Sequence, residues 1–256
     1  MQPILVIALA VFFYMTAVFL IALVKKDNSV VDIAWGPGFV VVALLSYFWW
    51  PGFETRHVLI TALVLVWAAR LALHIYLRNK GRGEDYRYAQ WRRTWGRWFV
   101  LRSFFQIFML QGSFLILISY PVVLANLSAT KGLSWLDMLG TLVWLAGFFF
   151  EAIGDYQLRE FKQKAESRGR IMITGLWKYT RHPNYFGEAT QWWGIFLIAL
   201  SVPGGWVGLV SPITITFLLL RVSGVAMLEK KYAGNEEFAE YAHRTNAFFP
   251  WFPKKT

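Results

Sequence analysis

The sequence predicts an all-α, polytopic membrane protein with seven transmembrane helices, the N-terminus outside and the C-terminus in the cytoplasm. Three observations carry this. Of the 256 residues, 57% are hydrophobic, 18% aromatic and only 16% charged, with mean hydropathy +0.42, where a soluble domain is about 45–50% apolar and about 25% charged. The apolar residues are gathered into runs of roughly 20, the length that crosses a bilayer as a helix. The cations, 26 Lys+Arg against 15 Asp+Glu, lie between those runs and almost all on one side. An ordinary soluble enzyme and a disordered chain are thereby excluded. The absence of cysteine excludes disulfides, a thiolate nucleophile, a Cys-ligated zinc and an iron–sulfur cluster.

The first run, 3–24, is too long for the apolar part of a signal peptide and has no basic segment before it, so it reads as a retained helix. The second, third, fourth and fifth runs cover 30–50, 57–77, 99–127 and 135–154. A polar stretch follows, then a short run at 189–201, a turn at Pro203-Gly204-Gly205 and a last run at 206–227, the final two forming a hairpin. No change of composition marks a second domain, so residues 1–256 read as one membrane domain.

With seven spans the charges separate. Lys25 and Lys26 follow the first; Arg78, Lys80, Arg82, Arg87, Arg92, Arg93 and Arg97 follow the third. Arg159, Lys162, Lys164, Arg168, Arg170, Lys178 and Arg181 follow the fifth, and Lys230, Lys231, Arg244, Lys254 and Lys255 the seventh. Only Arg56 and Lys131 fall clearly on the other side. Excess Lys and Arg mark the cytoplasmic side, and one span more or fewer breaks the segregation. Trp49, Trp50, Trp135 and Trp206 near span ends suit the interfacial aromatic belt. Most of the basic charge therefore reads as topology signal and attraction to anionic lipid; no nucleic-acid module and no metal-binding pattern is present.

Two cytoplasmic segments are chemically richer. Residues 78–88 mix cations, carboxylates, glycines and tyrosines; glycine admits close backbone approach and arginine binds phosphate bidentately, while the plain alternative is a solvated linker. Residues 175–188 contain Arg181-His182-Pro183-Asn184-Tyr185 and Glu188. Pro183 biases His182 toward extended backbone, and Asn184 and Glu188, four apart, share a face if helical. Further polar groups lie in or near the spans: Asp32 at the start of the second, Arg70 and His74 one turn apart in the third, Glu151 and Asp155 at the end of the fifth, and Arg221 in the seventh. Ionisable groups at such depth are functional by default; the plainer readings are snorkelling, a structural ion pair or, for Asp32, a helix cap. Together they outline an expected polar cavity open to the cytoplasm.

On these residues the chain resembles the membrane steroid 5-alpha-reductases, within the superfamily that also holds the isoprenylcysteine carboxyl methyltransferases. Arg181-His182-Pro183-Asn184-Tyr185 with Gly187 looks like the signature of that superfamily. Asn184, Glu188, Asp155-Tyr156-Gln157-Leu158-Arg159 and Asn79-Lys80-Gly81-Arg82 look more like its reductase branch. The chain is also similar to a bacterial family of uncharacterised membrane proteins grouped with these reductases, which implies a multi-pass protein of the bacterial inner membrane. The resemblance covers about residues 67–250.

The resemblance implies an NADPH-dependent reductase of the 4,5 double bond of 3-oxo-4-ene steroids, or of another apolar enone entering from the bilayer, with the cofactor site facing the cytoplasm. By position, Asn79, Lys80, Arg82, Asp155, Lys162, Arg170, Tyr179, Asn184, Glu188 and Arg221 are the expected NADPH contacts, with Arg181 and His182 in the same signature. Hydride transfer to the enone β-carbon requires a donor at the carbonyl and a proton for the α-carbon. The family uses a Glu or Gln on span two and a Tyr on span three; here Asp32, kept protonated by burial, is the expected donor, helped by His74, with Arg70 beside it. The histidines that follow the span-seven arginine in animal relatives are missing after Arg221. The alternatives are an S-adenosylmethionine-dependent methyltransferase, against which Asn184, Glu188 and the 79–82 loop argue, and a lipid-binding or transport protein, for which an internal repeat is lacking. Residues 229–244 read as one amphipathic helix and 248–253 as a membrane-surface segment; the tail is expected to cap the cofactor cavity or simply to anchor at the interface.

Overall fold

A computed structural model describes residues 3–49, 52, 54–167 and 169–254. Trp50, Arg168 and Lys255, and the side chain of Lys231, lie outside the described residues. All regular structure among the described residues is helical. The chain divides into two compact units, one of Met1–Ser134 with Ala199–Val210 and the other of Trp135–Ile198 with Ser211–Thr256.

In the first unit, α1 (Pro3–Lys25) buries Ile7, Val11, Met15, Val18 and Ala22, every third or fourth residue, and leaves Ile4, Phe12, Phe13 and Leu20 exposed. A helix with one packed face and apolar exposed faces is built for lipid. It ends where Lys26 takes a left-handed φ of 53°. Helices α2 (Val30–Trp49) and α3 (Thr55–Asn79) cross closely at Gly36, where a Cβ would stand 2.8 Å from the Ala68 carbonyl oxygen. Helix α4 (Tyr86–Trp95) is short and arginine-rich; Asp85 caps it by accepting from the Arg87 backbone N–H. The chain turns at Gly96, φ 48°. It then runs through α5 (Phe99–Ser103), a π-helical stretch (Phe104–Met109) and α6 (Leu110–Asn126), which is the fourth apolar run. Buried Asn126 ties α6 to its neighbours, its Nδ2 donating to Ser46 Oγ at 3.0 Å and Thr61 Oγ1 at 3.2 Å.

The second unit is organised by α7 (Trp135–Gln163) and α8 (Pro183–Ala199). Gly140, Gly147 and Gly154, seven apart on α7, face Gly194, Gly187 and the Pro183–Asn184 turn of α8. A Cβ on Gly140 would stand 2.5 Å from the Gly194 carbonyl oxygen, and one on Gly147 2.6 Å from that of Gly187. Small residues at two-turn spacing let the backbones approach, as in membrane helix pairs. Helix α8 begins six residues earlier than the apolar run predicted. Pro183 occupies its first position, where the missing N–H costs nothing, so the polar residues Asn184, Glu188 and Gln191 belong to the helix.

The last predicted run is also broken up. A 3₁₀ turn (Gly205–Leu209) leads into α9 (Val210–Phe217), a π-helical turn (Leu218–Val222) and α10 (Val225–Lys231). The single amphipathic helix expected over 229–244 is two. The chain breaks at Gly234, φ 85°, and Asn235 starts α11 (Glu236–Arg244) by accepting from the Phe238 N–H at 2.9 Å; a left-handed glycine before an Asn cap ends one helix and begins another.

Among the described residues, six helical stretches are long and apolar enough to cross a membrane: Pro3–Lys25, Val30–Trp49, Thr55–Asn79, Tyr86–Asn126, Trp135–Gln163 and Gly205–Lys230. The seven-span expectation counts α8 as well, whose 17 residues sit at the lower limit for a span.

Candidate functional site

In the first unit the 80–85 loop is bound to the α1–α2 turn. The Asn28 N–H donates to Glu84 Oε1 at 2.9 Å, the Asp85 N–H to Ser29 Oγ at 2.7 Å, and Arg92 pairs with Glu84 at 2.7 Å. On α2, Asp32 accepts from Arg87 at 2.9 Å and from the Tyr88 hydroxyl at 2.6 Å. Its carboxylate is therefore an acceptor for two donors from α4. Arg87 also grips Asp85 at 2.8 Å. Burial pushes the Asp85 carboxyl up, but hydrogen bonds from the Arg87 guanidinium and backbone N–H outweigh it and hold the group below its ordinary value. Arg70 and His74, one turn apart on α3, are half-buried and engaged by other groups.

The same unit holds a small open pocket of about 120 Å³ lined by Asn79, Lys80 and Arg82, together with Lys25, Tyr76 and Ser29. Three predicted cofactor contacts thus line one concavity, and Lys25, delivered by the end of α1, was not among the expected ligands. Three cations and one carboxylate, Asp27, line this hole, and the excess of cations suits a phosphate group.

In the second unit Asn184 and Asp155 meet. Asn184 Nδ2 donates to Asp155 Oδ1 at 3.0 Å, while Asn184 Oδ1 is buried with no donor. A second carboxylate–amide pair, Gln191 Nε2 to Glu151 Oε2 at 2.5 Å, lies on the same two helices. Glu188, on the face shared with Asn184, is 9% exposed.

The signature loop is fixed to the C-terminal segment. Gly175, φ 63°, sits against the Gln157 side chain, which leaves no room for a Cβ. Gln157 accepts from the Leu176 N–H at 2.9 Å, and Trp177 Nε1 donates to the Gly154 carbonyl at 3.1 Å. The Tyr241 hydroxyl donates to the Trp177 carbonyl; burial pushes that hydroxyl above its ordinary range, so it stays protonated. The Arg181 guanidinium gives Nε and Nη2 to the two carboxylate oxygens of Glu229, at 2.8 and 3.1 Å, and Nη1 to the carbonyls of Ala242 and Thr245. His182 Nε2 lies 3.1 Å from Glu229 Oε1, and its ring stacks on Tyr185. The Trp251 N–H reaches the Tyr179 carbonyl at 2.9 Å. Phe248 is buried, while Phe249, Trp251 and Phe252 are about 70% exposed.

The expected residues therefore divide. Asn79, Lys80 and Arg82 share a pocket; Asp155 and Asn184 share a hydrogen bond. Arg181 and His182 are bound to Glu229, with His182 Nδ1 alone left buried and without a partner. Lys162, Arg170 and Arg221 are exposed, and Tyr179 partly so. Glu229 and Gln191 were given no site role by the sequence, and Arg87 and Tyr88 only a place in the 78–88 segment. The mixture of both charge signs in 78–88 was the available signal for Arg87; none existed for Glu229, 48 residues from Arg181.

As to what a reduced dinucleotide requires, an unsatisfied buried acceptor on Asn184 fits a ligand N–H or O–H donor, and the cations of the 79–82 pocket fit a phosphate. Each nitrogen of the Arg181 guanidinium already donates to Glu229 or to a backbone carbonyl. Residues 18–245 match the family described as "Protein of unknown function (DUF1295)". An uncharacterised protein of Schizosaccharomyces pombe is 28% identical over 199 residues, 67% of this chain and 57% of its own. The 3-oxo-5-alpha-steroid 4-dehydrogenase 1 of Bos taurus is 33% identical over 67 residues, 26% of each chain. That of Rattus norvegicus is 26% identical over 116 residues, 44% of this chain and 41% of its own. The matched part is thus less than two thirds of each relative's length. No solved structure matches.

Proposed function

The chain belongs to the DUF1295 family, and from that premise we propose that it is a membrane reductase that uses NADPH to reduce the double bond of an apolar enone, with 3-oxo-4-ene steroids as the substrate class, since two partial relatives are named 3-oxo-5-alpha-steroid 4-dehydrogenase 1. The observation that carries this reading is the Asn184–Asp155 pair. Asp155 orients the amide, so that Asn184 presents a buried, unsatisfied carbonyl oxygen, a preformed acceptor whose desolvation is offset only when a ligand donates to it. In this reading the reduced nicotinamide, when bound, supplies a hydride to the enone β-carbon.

The protein's own groups bind and hold protons. Asn79, Lys80 and Arg82, with Lys25, bind phosphate in their pocket. Asn184 and Asp155, with Glu188 on the same face of α8, bind the polar part of the cofactor. Asp32 acts through Tyr88: the carboxylate holds the phenol hydroxyl at 2.6 Å, and the proton offered to the substrate is the tyrosine's. Asp32, the expected donor, thus acts together with Tyr88, and Arg70 and His74 remain polar neighbours on α3. Lys162, Arg170, Tyr179 and Arg221 remain assigned to the cofactor as charged or partly exposed groups. The reading retains seven spans, α8 included, with the N-terminus outside and the cofactor site on the cytoplasmic face of a bacterial inner membrane.

The test is to purify the protein in detergent, identify co-purified nucleotide by mass spectrometry, and follow NADPH oxidation with progesterone or testosterone. Bound NADPH whose affinity drops in Asn184→Ala supports the proposal. Bound S-adenosylmethionine, or an unchanged affinity in that variant, overturns it.

A further inference from the structure

The arginines of α4 and the turn after it fall into two sets. Arg87 and Arg92 are held by carboxylates, Asp32 and Asp85 for the first and Glu84 for the second. Arg93, Arg97 and Arg102 are exposed and have no carboxylate within ion-pair distance among the described residues. Two of them lie beside indole rings instead, Arg97 at 5.5 Å from the centre of Trp98 and Arg102 at 5.9 Å from that of Trp95. Trp95 is in turn stacked on Trp91, 5.3 Å between centroids and 8° between planes.

These groups sit where the exposed surface changes character. Trp98, Val100, Leu101 and Phe105 are each more than half exposed, and they open the apolar part of a helical stretch long enough to cross a membrane. Tryptophan collects at the headgroup level of a bilayer. Arginine binds phosphate through paired N–H donors and is held by the negative potential of anionic leaflets. Past the turn at Gly96, Arg97 lies beside Trp98 and Arg102 beside Trp95.

We propose that Arg93, Arg97 and Arg102, with Trp95 and Trp98, form a binding site for the phosphate headgroup of an anionic phospholipid. The occupant is a lipid and not a soluble anion, because the cations adjoin an exposed apolar stripe that only acyl chains would cover. The site lies wholly in the first unit and does not depend on the reductase reading.

The test uses the full chain in vesicles of phosphatidylcholine alone or mixed with phosphatidylglycerol, with native mass spectrometry of the lipids it retains after extraction. The wild type retains phosphatidylglycerol over phosphatidylcholine, and the preference falls about fivefold for each arginine removed in Arg97→Gln and in the triple Arg93→Gln/Arg97→Gln/Arg102→Gln variant. Lys131→Gln, a cation elsewhere in the same unit, keeps it. The proposal is overturned if the wild type shows no preference, if Arg97→Gln retains the full preference, or if inorganic phosphate at matched concentration displaces the lipid completely. The single variant keeps the test valid should the triple variant fail to fold.

Discussion

Arg181 and Glu229 form a two-pronged ion pair across 48 residues of sequence, with Nε at 2.8 Å and Nη2 at 3.1 Å from the two carboxylate oxygens. The remaining guanidinium nitrogen closes on the carbonyls of Ala242 and Thr245. One side chain of the signature loop thus holds α10, the end of α11 and the strand-like tail. The Arg181 side chain is 11% exposed, so removing its partner leaves a charge largely shielded from water. Glu229→Ala is expected to cost about 2–4 kcal/mol, somewhat below a fully buried pair, because two carbonyls still accept from Arg181. Thermal unfolding in detergent measures the cost, and limited proteolysis should cut first within 232–254. Arg181→Lys should not restore the wild-type value, since an ammonium cannot make the paired contact. If Glu229→Ala unfolds and resists protease like the wild type, the latch has no structural weight.

Asp32 offers a different separation of effects. Asp32→Asn keeps the shape and removes the charge that faces Arg87 and accepts from Tyr88. Arg87 retains Asp85, so the stability loss should be modest, about 1–2 kcal/mol. In the reductase reading Tyr88 keeps an amide oxygen as acceptor but loses the carboxyl group that holds its hydroxyl. Turnover of an enone should then fall at least about tenfold, with NADPH affinity within about a factor of two. Separate measurement of kcat and cofactor Kd decides it; a loss confined to Kd would assign Asp32 to the cofactor instead.

The division between what the residues announced and what they concealed follows range. Apolar runs report membrane helices because hydropathy is a local property, and α1, α2 and α3 fall where the runs do. The start of α8 was hidden because Asn184, Glu188 and Gln191 lower its hydropathy, although Pro183 marks its first turn. The break between α10 and α11 was written in Gly234-Asn235, which the helical periodicity of the flanking residues obscured. The Asn184–Asp155 contact became legible only through resemblance to a family. Glu229 was illegible, because a carboxylate beside two lysines looks solvated until its partner is placed opposite it.

The glycine spacing on α7 and α8 predicts an asymmetric response to a single methyl group. At Gly147 a Cβ would stand 2.6 Å from the Gly187 carbonyl oxygen and 2.7 Å from the Gln191 nitrogen. Backbone on a second helix cannot rotate away, so the helices must separate. Gly147→Ala should destabilise by roughly 1–3 kcal/mol and disturb the Gln191–Glu151 pair. Gly83→Ala, where nothing lies within 4 Å, should stay within about 0.5 kcal/mol of wild type. Matched thermal unfolding of the two variants checks this, and equal effects would mean that α7 and α8 are not held at backbone contact.

The Asp85 carboxylate gives a pH dependence with a definite sign. Burial raises its pKa, but the side-chain and backbone donors of Arg87 outweigh burial, and the folded value lies below the ordinary 3.8. The unfolded chain therefore binds the proton more readily than the folded one. The contribution of this charge is complete above the unfolded value and is lost as pH falls through the lower, folded value. Asp85→Asn isolates it, since asparagine still caps α4 through its side-chain oxygen and only the charge facing Arg87 is removed. At neutral pH the variant should be less stable than the wild type by about 1 kcal/mol. The gap should begin to narrow near pH 3.8 and close at lower pH, as the wild-type carboxyl takes up its proton. Denaturant unfolding of both proteins at a series of pH values reads the difference directly. A gap that holds constant down through that range, or one that widens with acid, would show that Arg87 does not hold Asp85 as a charged cap.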